Sequence, residues 1–298
     1  MTLSAAKPKT PPPLPIAAHK GDAGRMLCIA GSETMPGAAV LILRAALQAG
    51  IGLVQLAVFD KNLIHAVCPA VPEAVYLDLS RSKDLIAGRL PTQIEGRKDH
   101  VRVVGPGLGQ GGRTDELVRR LVTTSFSGPL VLDADGLNVI GDMPEVLAGF
   151  AGQMVLTPHP GEAARLMGVA AIATSDEGRI ECAKAIAHAA GGLCILKGYH
   201  TVVTDGEQVF VSQTGNPGMA SAGSGDTLCG ILGAYLASVV LFGSADWTFF
   251  DAACSAVHTH GLAGDLAAAK LGQRALTASA IISHLAEAQQ QLAHEPGR

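Results

Sequence analysis

From Met26 onward, short aliphatic and β-branched runs that end in glycine or aspartate alternate with longer Ala- and Leu-rich stretches of helical period. The short runs predict strands at Met26–Ala30, Leu53–Val58, Val75–Leu79, Val101–Val104, Leu130–Leu132, Met154–Leu156 and Cys194–Leu196. Nearly every position in them is apolar rather than alternating, the pattern of strands covered on both faces. The longer stretches predict helices at Gly37–Gly50, Asp115–Val122, Gly161–Met167, Asp176–Ala189, Asp226–Ser238, Thr248–Asp265 and Thr277–Ala288. Thr201–Thr204 and Gln208–Val211 flank Asp205-Gly206-Glu207 and predict a hairpin. The chain is therefore expected to be α/β, with a largely parallel central sheet and an antiparallel hairpin at one end.

Composition narrows what such a chain does. Hydrophobic residues make up 48% of the 298 positions and charged residues 16%, which predicts a large core in one domain, residues 24–290. Residues 1–23, containing Thr10–Pro15 as TPPPLP, read as a disordered proline-rich arm, and residues 291–298 as a flexible tail. A formal charge of −4, with no basic block and only 4% aromatic residues, gives no footprint for nucleic acid. A small ligand is the expected partner. The uncharged run Thr227–Ala245 lies between Asp226 and Asp246 and contains Gly230, Gly233 and Gly243, so it reads as a buried helix rather than a membrane span. The six cysteines are scattered without CxxC or Cys/His clustering, as reduced core residues of a cytoplasmic protein would be.

Ligands of open α/β sheets bind beyond the carboxyl ends of the strands. Glycine-rich turns fall there at Gly31–Gly37, Gly105–Gly112, Asp133–Asn138, Thr157–Glu162, Lys197–Thr201 and Gly215–Asp226, and their concentration points to a nucleotide or phosphate ligand. Gly107 to Gly112 satisfies GxGxxG, with Asp133 ending the next strand where a ribose-binding acid would stand. The same glycines serve equally to close a tight strand-to-helix turn. GxxxxGK[ST], GxSxG and HExxH do not occur.

The segment Gly215–Asp226, GNPGMASAGSGD, is the strongest candidate. Gly223, Ser224 and Gly225 enter a long helix, where backbone N–H groups and the helix dipole favour a phosphoryl group, and Asp226 in the first turn is the candidate base. Helix capping alone explains the aspartate but not the glycine-rich loop before it. His159 sits in a proline-flanked turn over the crevice, and Glu162 in the first turn of the following helix, where a capping carboxylate is also expected. His258 and His260 are two apart on a predicted helix and receive no role.

Taken together, GPGLG at Gly105–Gly109, LDADGLN at Leu132–Asn138, LTPHPGE at Leu156–Glu162, KG..T at Lys197–Thr201 and GNPGMASAGSGD resemble the NAD(P)H-hydrate dehydratase family, over roughly Gly24 to Leu285. The resemblance implies a ribokinase-like three-layer α/β/α sandwich. It also implies the repair of NADH hydrate and NADPH hydrate, by phosphorylation of the ring hydroxyl from ADP or ATP and elimination of phosphate. Carried onto this chain, Ala38, Gly107, Gly109, His159 and Asp226 are expected to contact the hydrated nucleotide. Lys197, Gly198, Tyr199, His200, Thr201 and Gly225 are expected to hold the adenosine phosphate, with Asp226 as the base beside Gly223, Ser224 and Gly225. Mg2+ is implied, with Glu162 in indirect contact.

The plain GSGD and the Gly-Glu ending of PHPGE resemble the family's bacterial branch, which implies ADP rather than the ATP of the eukaryotic branch. Gly136, the ASAGSGD spelling and Ala280 in LTASA depart from the family's usual residues without removing a reactive group. The family further implies a homo-oligomer, a tetramer in its relatives. With fewer than 25 residues before the first strand, epimerisation of the hydrate is expected from a separate NAD(P)H-hydrate epimerase. A vitamin-precursor kinase of the hydroxyethylthiazole or hydroxymethylpyrimidine type shares the GSGD logic, and a catalytically silent nucleotide sensor is the alternative from another class.

Overall fold

The computed structural model describes residues 7–141 and 150–294. Nine strands form one sheet in the order β3-β2-β1-β4-β5-β6-β7-β8-β9. They are β1 (Arg25–Ile29), β2 (Leu53–Val58), β3 (Val75–Asp78), β4 (Val101–Val104), β5 (Leu130–Leu132), β6 (Met154–Leu156), β7 (Leu193–Leu196), β8 (Val202–Thr204) and β9 (Val209–Val211). β1 to β7 pair in parallel, and β8 and β9 add the antiparallel end. Parallel strands require crossovers, which right-handed connections place on the two faces of the sheet.

One face is covered by α1 (Pro36–Gln48), α2 (Lys61–Val67), α8 (Ser224–Phe242), α9 (Phe249–Leu271), α10 (Ala278–Ser283) and α11 (Leu285–His294). The other carries α3 (Thr92–Glu95), α4 (Gly112–Val122), α5 (Asp135–Gly141), α6 (Pro160–Leu166) and α7 (Asp176–Ala190). Each strand sends alternate side chains into the two cores, Met26 and Cys28 into one and Leu27 and Ile29 into the other, so near-uniform apolarity is required. The fold is the expected three-layer α/β/α sandwich. Among the described residues α8 alone is long and apolar enough to cross a membrane, but it is packed between α1 and α9, as a helix apolar all round should be.

Three boundaries differ from expectation. Residues 7–23 are not a free arm: the Lys9 ammonium lies 2.8 Å from Asp251 Oδ1, the Lys9 N–H donates to Ser255 Oγ at 2.8 Å, and Thr10 Oγ1 donates to the Leu292 carbonyl. Polyproline backbone needs no internal hydrogen bonds and can lie on α9 through its flanking polar groups. The expected tail is helical to His294, because Leu292 is buried at 4% exposure. The single helix expected at Thr277–Ala288 breaks at His284, whose Nδ1 donates to the Ala280 carbonyl at 2.8 Å. Residues 1–6 of the arm and 295–298 of the tail lie outside the described residues.

Candidate active site

The carboxyl ends of β4, β5, β6 and β7 converge with the start of α8. Asp133, just beyond β5 and 2% exposed, holds the Lys197 ammonium at 2.5 Å through Oδ1 and accepts from the Cys229 thiol at 3.2 Å through Oδ2. Lys197 follows β7, and its ammonium is also 4.0 Å from Glu162 Oε2. A β-carbon on Gly225 would stand 3.5 Å from Lys197 Nζ and 3.8 Å from Asp133 Oδ2, so the glycine leaves a gap between the ammonium and the helix N-terminus. Asp226 occupies the next position, in the first turn of α8.

The electrostatics of this cluster separate its members by role. Burial, reinforced by the charge on Asp133, pushes the Asp226 carboxyl up to about 6, with Lys197 pulling the other way. Burial raises Glu162 as well, and Lys197 and the His159 N–H counter it. Burial works against the Lys197 charge, but the surrounding Asp133, Cys229 and Glu162 leave its ammonium above the ordinary lysine value. Burial and Asp133 hold Cys229 as a thiol, which suits a donor. A fixed cation, a gap lined by helix N–H groups and a carboxylate poised near neutrality form an arrangement able to receive a phosphoryl group and take up a proton.

Local backbone explains why these groups meet. At Gly105 φ is +126°, and a β-carbon there would fall inside the van der Waals envelope of the Asp133 carbonyl oxygen. The glycine ending β4 therefore lets the β5 turn close and brings Asp133 to Lys197. Gly105→Ala is expected to destabilise the fold by about 2–5 kcal/mol, combining left-handed strain with overpacking, measured by denaturant unfolding. Gly223, with φ +85°, similarly lets Leu41 of α1 approach the entry to α8.

The other expected residues divide. Ala38 at the start of α1 packs against Gly107, where a β-carbon would stand 3.0 Å from that of Ala38, so both lie in one wall. The Gly109 N–H donates to Asp135 Oδ2 at 2.8 Å, and Asp135 also accepts from Asn138. That engagement matches a closed strand-to-helix turn rather than a dinucleotide fingerprint, and Asp133, the supposed ribose acid, belongs to Lys197. His159 Nδ1 caps α6 by accepting from the Gly161 and Glu162 N–H groups, while Glu162 accepts from the His159 N–H at 2.7 Å, so the capping role is present for both. The outer ring nitrogen Nε2 is 3.4 Å from Glu162 Oε1. Tyr199 is 81% exposed and stacks on His200 at 3.8 Å. Thr201 Oγ1 donates to the Gly198 carbonyl. Among the described residues these three make no hydrogen bond or ion pair to Asp226, Asp133 or Lys197.

Sequence reasoning gave His260 no role and did not single out Asp265. His260, on α9, is half-buried beside Ser224, with Nε2 3.3 Å from Ser224 Oγ, and desolvation drives its imidazole down to about 4, so it is neutral at physiological pH. Asp265, five residues along α9, accepts from the Gly215 N–H at 2.8 Å and from Asn216 Nδ2 at 2.9 Å. Helix α9 thus holds both ends of the Gly215–Asp226 segment. Only the tertiary fold brings these residues to the loop, and no local signal marks them.

A family model described as NAD(P)H-hydrate dehydratase matches residues 26–287. The chain is 36% identical over 252 residues to an ADP-dependent (S)-NAD(P)H-hydrate dehydratase of Neisseria meningitidis, covering 83% of this chain and 78% of that protein. It is 39% identical over 277 residues to a bifunctional NAD(P)H-hydrate repair enzyme of Moorella thermoacetica, covering 90% of this chain and 49% of the other, and so spans about half the length of that relative. The fold superposes with a TM-score of 0.79 and 27% identity on the Bacillus subtilis ADP/ATP-dependent NAD(P)H-hydrate dehydratase co-crystallised with ATP/Mg2+, covering 95% of both chains.

Proposed function

The chain belongs to the NAD(P)H-hydrate dehydratase family, and from that premise we propose that it dehydrates the S epimers of NADH hydrate and NADPH hydrate at the expense of ADP. The observation that carries this reading is the Asp226 carboxyl, raised to about 6 in the first turn of α8 and next to the Gly225 gap faced by Lys197. A base at that position takes the proton of the ring hydroxyl as its oxygen attacks the terminal phosphorus of ADP, and the bond from that phosphorus to the AMP oxygen breaks. The α8 N–H groups and the Lys197 ammonium stabilise the charge spread over the transferring group. Phosphate then leaves from the ring carbon where hydroxide could not, and loss of a ring proton restores the dihydropyridine.

Among the described residues no three His, Cys, Asp or Glu side chains gather as a dedicated metal cage. Mg2+ ordinarily relies on one or two carboxylates with substrate phosphates and waters. Glu162, and Asp133 across Lys197, suit that limited part, and the ion would neutralise phosphate charge there. The same reading takes ADP in preference to ATP, and a cytoplasmic homotetramer served by an NAD(P)H-hydrate epimerase that supplies the S epimer. Lys197–Thr201 would receive the adenosine phosphate, and Ala38, Gly107, Gly109 and His159 the hydrated nucleotide.

Incubation of the protein with chemically prepared (S)-NADPH hydrate, ADP and Mg2+ is expected to restore the reduced-nicotinamide absorbance, with AMP and phosphate formed in equal amounts. Phosphorylation of hydroxyethylthiazole or hydroxymethylpyrimidine without any recovery of that absorbance would overturn the reading in favour of a kinase.

A further inference from the structure

The opposite pole of the sheet, where the parallel strands begin, carries polar groups that the chemistry at Asp226 does not use. Gly52 N–H donates to the Ala23 carbonyl and His100 N–H to the Arg25 carbonyl, both at 2.9 Å, drawing together the entries to β1, β2 and β4. On the face covered by α3 to α7, Gln55 and Arg102 flank Leu27, with which both are in register. The next inward positions on that face, Ile29, Ala57 and Val104, are apolar and belong to its core. Gln55 is only 5% exposed, and its side-chain amide, which makes no hydrogen bond among the described residues, still reaches solvent through the opening between these strands. An amide free of protein partners and open to solvent at this position is available to donate to a ligand.

Gln55 lines a cavity of about 210 Å³ with Lys20, Arg25, Arg97, Lys98 and Asp99. Asp99 Oδ1 accepts from Arg97 Nε at 3.2 Å, while Oδ2 is ion-paired with Arg102 Nε at 3.7 Å without a hydrogen bond, so the carboxylate's charge is taken up by these two guanidinium groups. Lys20, Arg25 and Lys98 have no carboxylate partner among the described residues. In a chain of net charge −4, unpaired cations are thus concentrated around one concavity whose floor offers an unused amide. We propose that this cavity binds a small oxyanion, phosphate or a short dicarboxylate, held by Lys20, Arg25, Arg97 and Lys98 with the Gln55 amide donating from below. Guanidinium and ammonium groups form charge-assisted hydrogen bonds to such oxygens, and the planar fork of arginine can engage two at once. The volume lies below the range of drug-sized ligand pockets, which favours a free anion over a nucleotide.

The test is thermal unfolding of the intact protein in inorganic phosphate, and separately in malonate, with sodium chloride adjusted to constant ionic strength. The midpoint is expected to rise with one or both oxyanions, by on the order of 5–10 °C at a hundredfold excess over the dissociation constant. Arg25→Gln and Lys98→Gln, at a half-exposed and an exposed position, are expected to weaken the binding at least ~10-fold while leaving the anion-free midpoint nearly unchanged. Gln55→Leu is expected to leave the anion-free midpoint at or above that of the unsubstituted protein and to reduce the anion-dependent shift, a combination that a structural role for the amide cannot produce. Equal shifts in the unsubstituted protein and all three variants would place the anion elsewhere and overturn the proposal. So would equal shifts in chloride alone, or no shift with either oxyanion.

Discussion

Asp226→Asn is expected to lower the rate of hydrate repair by about 10²–10⁴-fold, the usual contribution of a positioned general base, with ADP affinity little changed. The pH dependence gives a second reading of the same group. In the unsubstituted enzyme kcat/KM should climb as pH rises through about 6, where the buried Asp226 carboxyl loses its proton, and the variant should lack that limb. Stability should move in the opposite direction. The unfolded carboxyl ionises near 3.8 and the folded one near 6, so the unfolded chain releases its proton first. Asp226 therefore disfavours the fold progressively between those values and fully above them. The asparagine variant should unfold at a higher temperature at pH 8 but show little gain at pH 3.5. An unchanged rate, or a loss of rate accompanied by loss of fold, would remove Asp226 from the role of base.

Much of the architecture is written in local pattern, because a parallel sheet buried on both faces demands uninterrupted apolar strands. β2, β4, β5 and β6 coincide with the expected segments, and the hairpin of β8 and β9 lies where Asp205-Gly206-Glu207 placed it. α5 was less legible: Asp133–Asn138 reads as a turn because of Gly136 and two aspartates, yet Asp135 begins a helix there after Ala134 takes φ +47°. α2 is short and polar enough to lack a persuasive period. The candidate site shows the same division. The glycines and the isolated carboxylate of GSGD announce a phosphate-handling helix start, whereas the Asp133–Lys197 pair joins residues 64 positions apart. The His260 and Asp265 contacts likewise depend on how α9 lies across the loop. Arm residues Lys9 and Thr10 find partners on α9 and α11 that composition could not reveal.

Lys197→Met should cause the other large effect, and its analysis separates charge compensation from catalysis. Methionine preserves much of the side-chain length but leaves Asp133 buried with the Cys229 thiol as a donor and no cation. Breaking a buried pair in this way costs on the order of 3–5 kcal/mol, with the lower end expected because Lys197 retains 19% side-chain exposure. The phosphoryl group would also lose its fixed cation, for a rate loss of about 10²–10³-fold. Because Lys197 lowers the Asp226 pKa, the acid limb of the pH profile should move upward in the variant. Adding Asp133→Asn removes the stranded charge, so the double variant should regain most of the stability. Its acid limb should fall to or below the original position, since Asp133 raises Asp226 more strongly than Lys197 lowers it. The rate should stay low even so, because neither substitution returns a positive charge to the Gly225 gap. If the double variant instead recovered full activity, Lys197 would be there to neutralise Asp133, and the α8 N-terminus would be handling the phosphoryl charge without it.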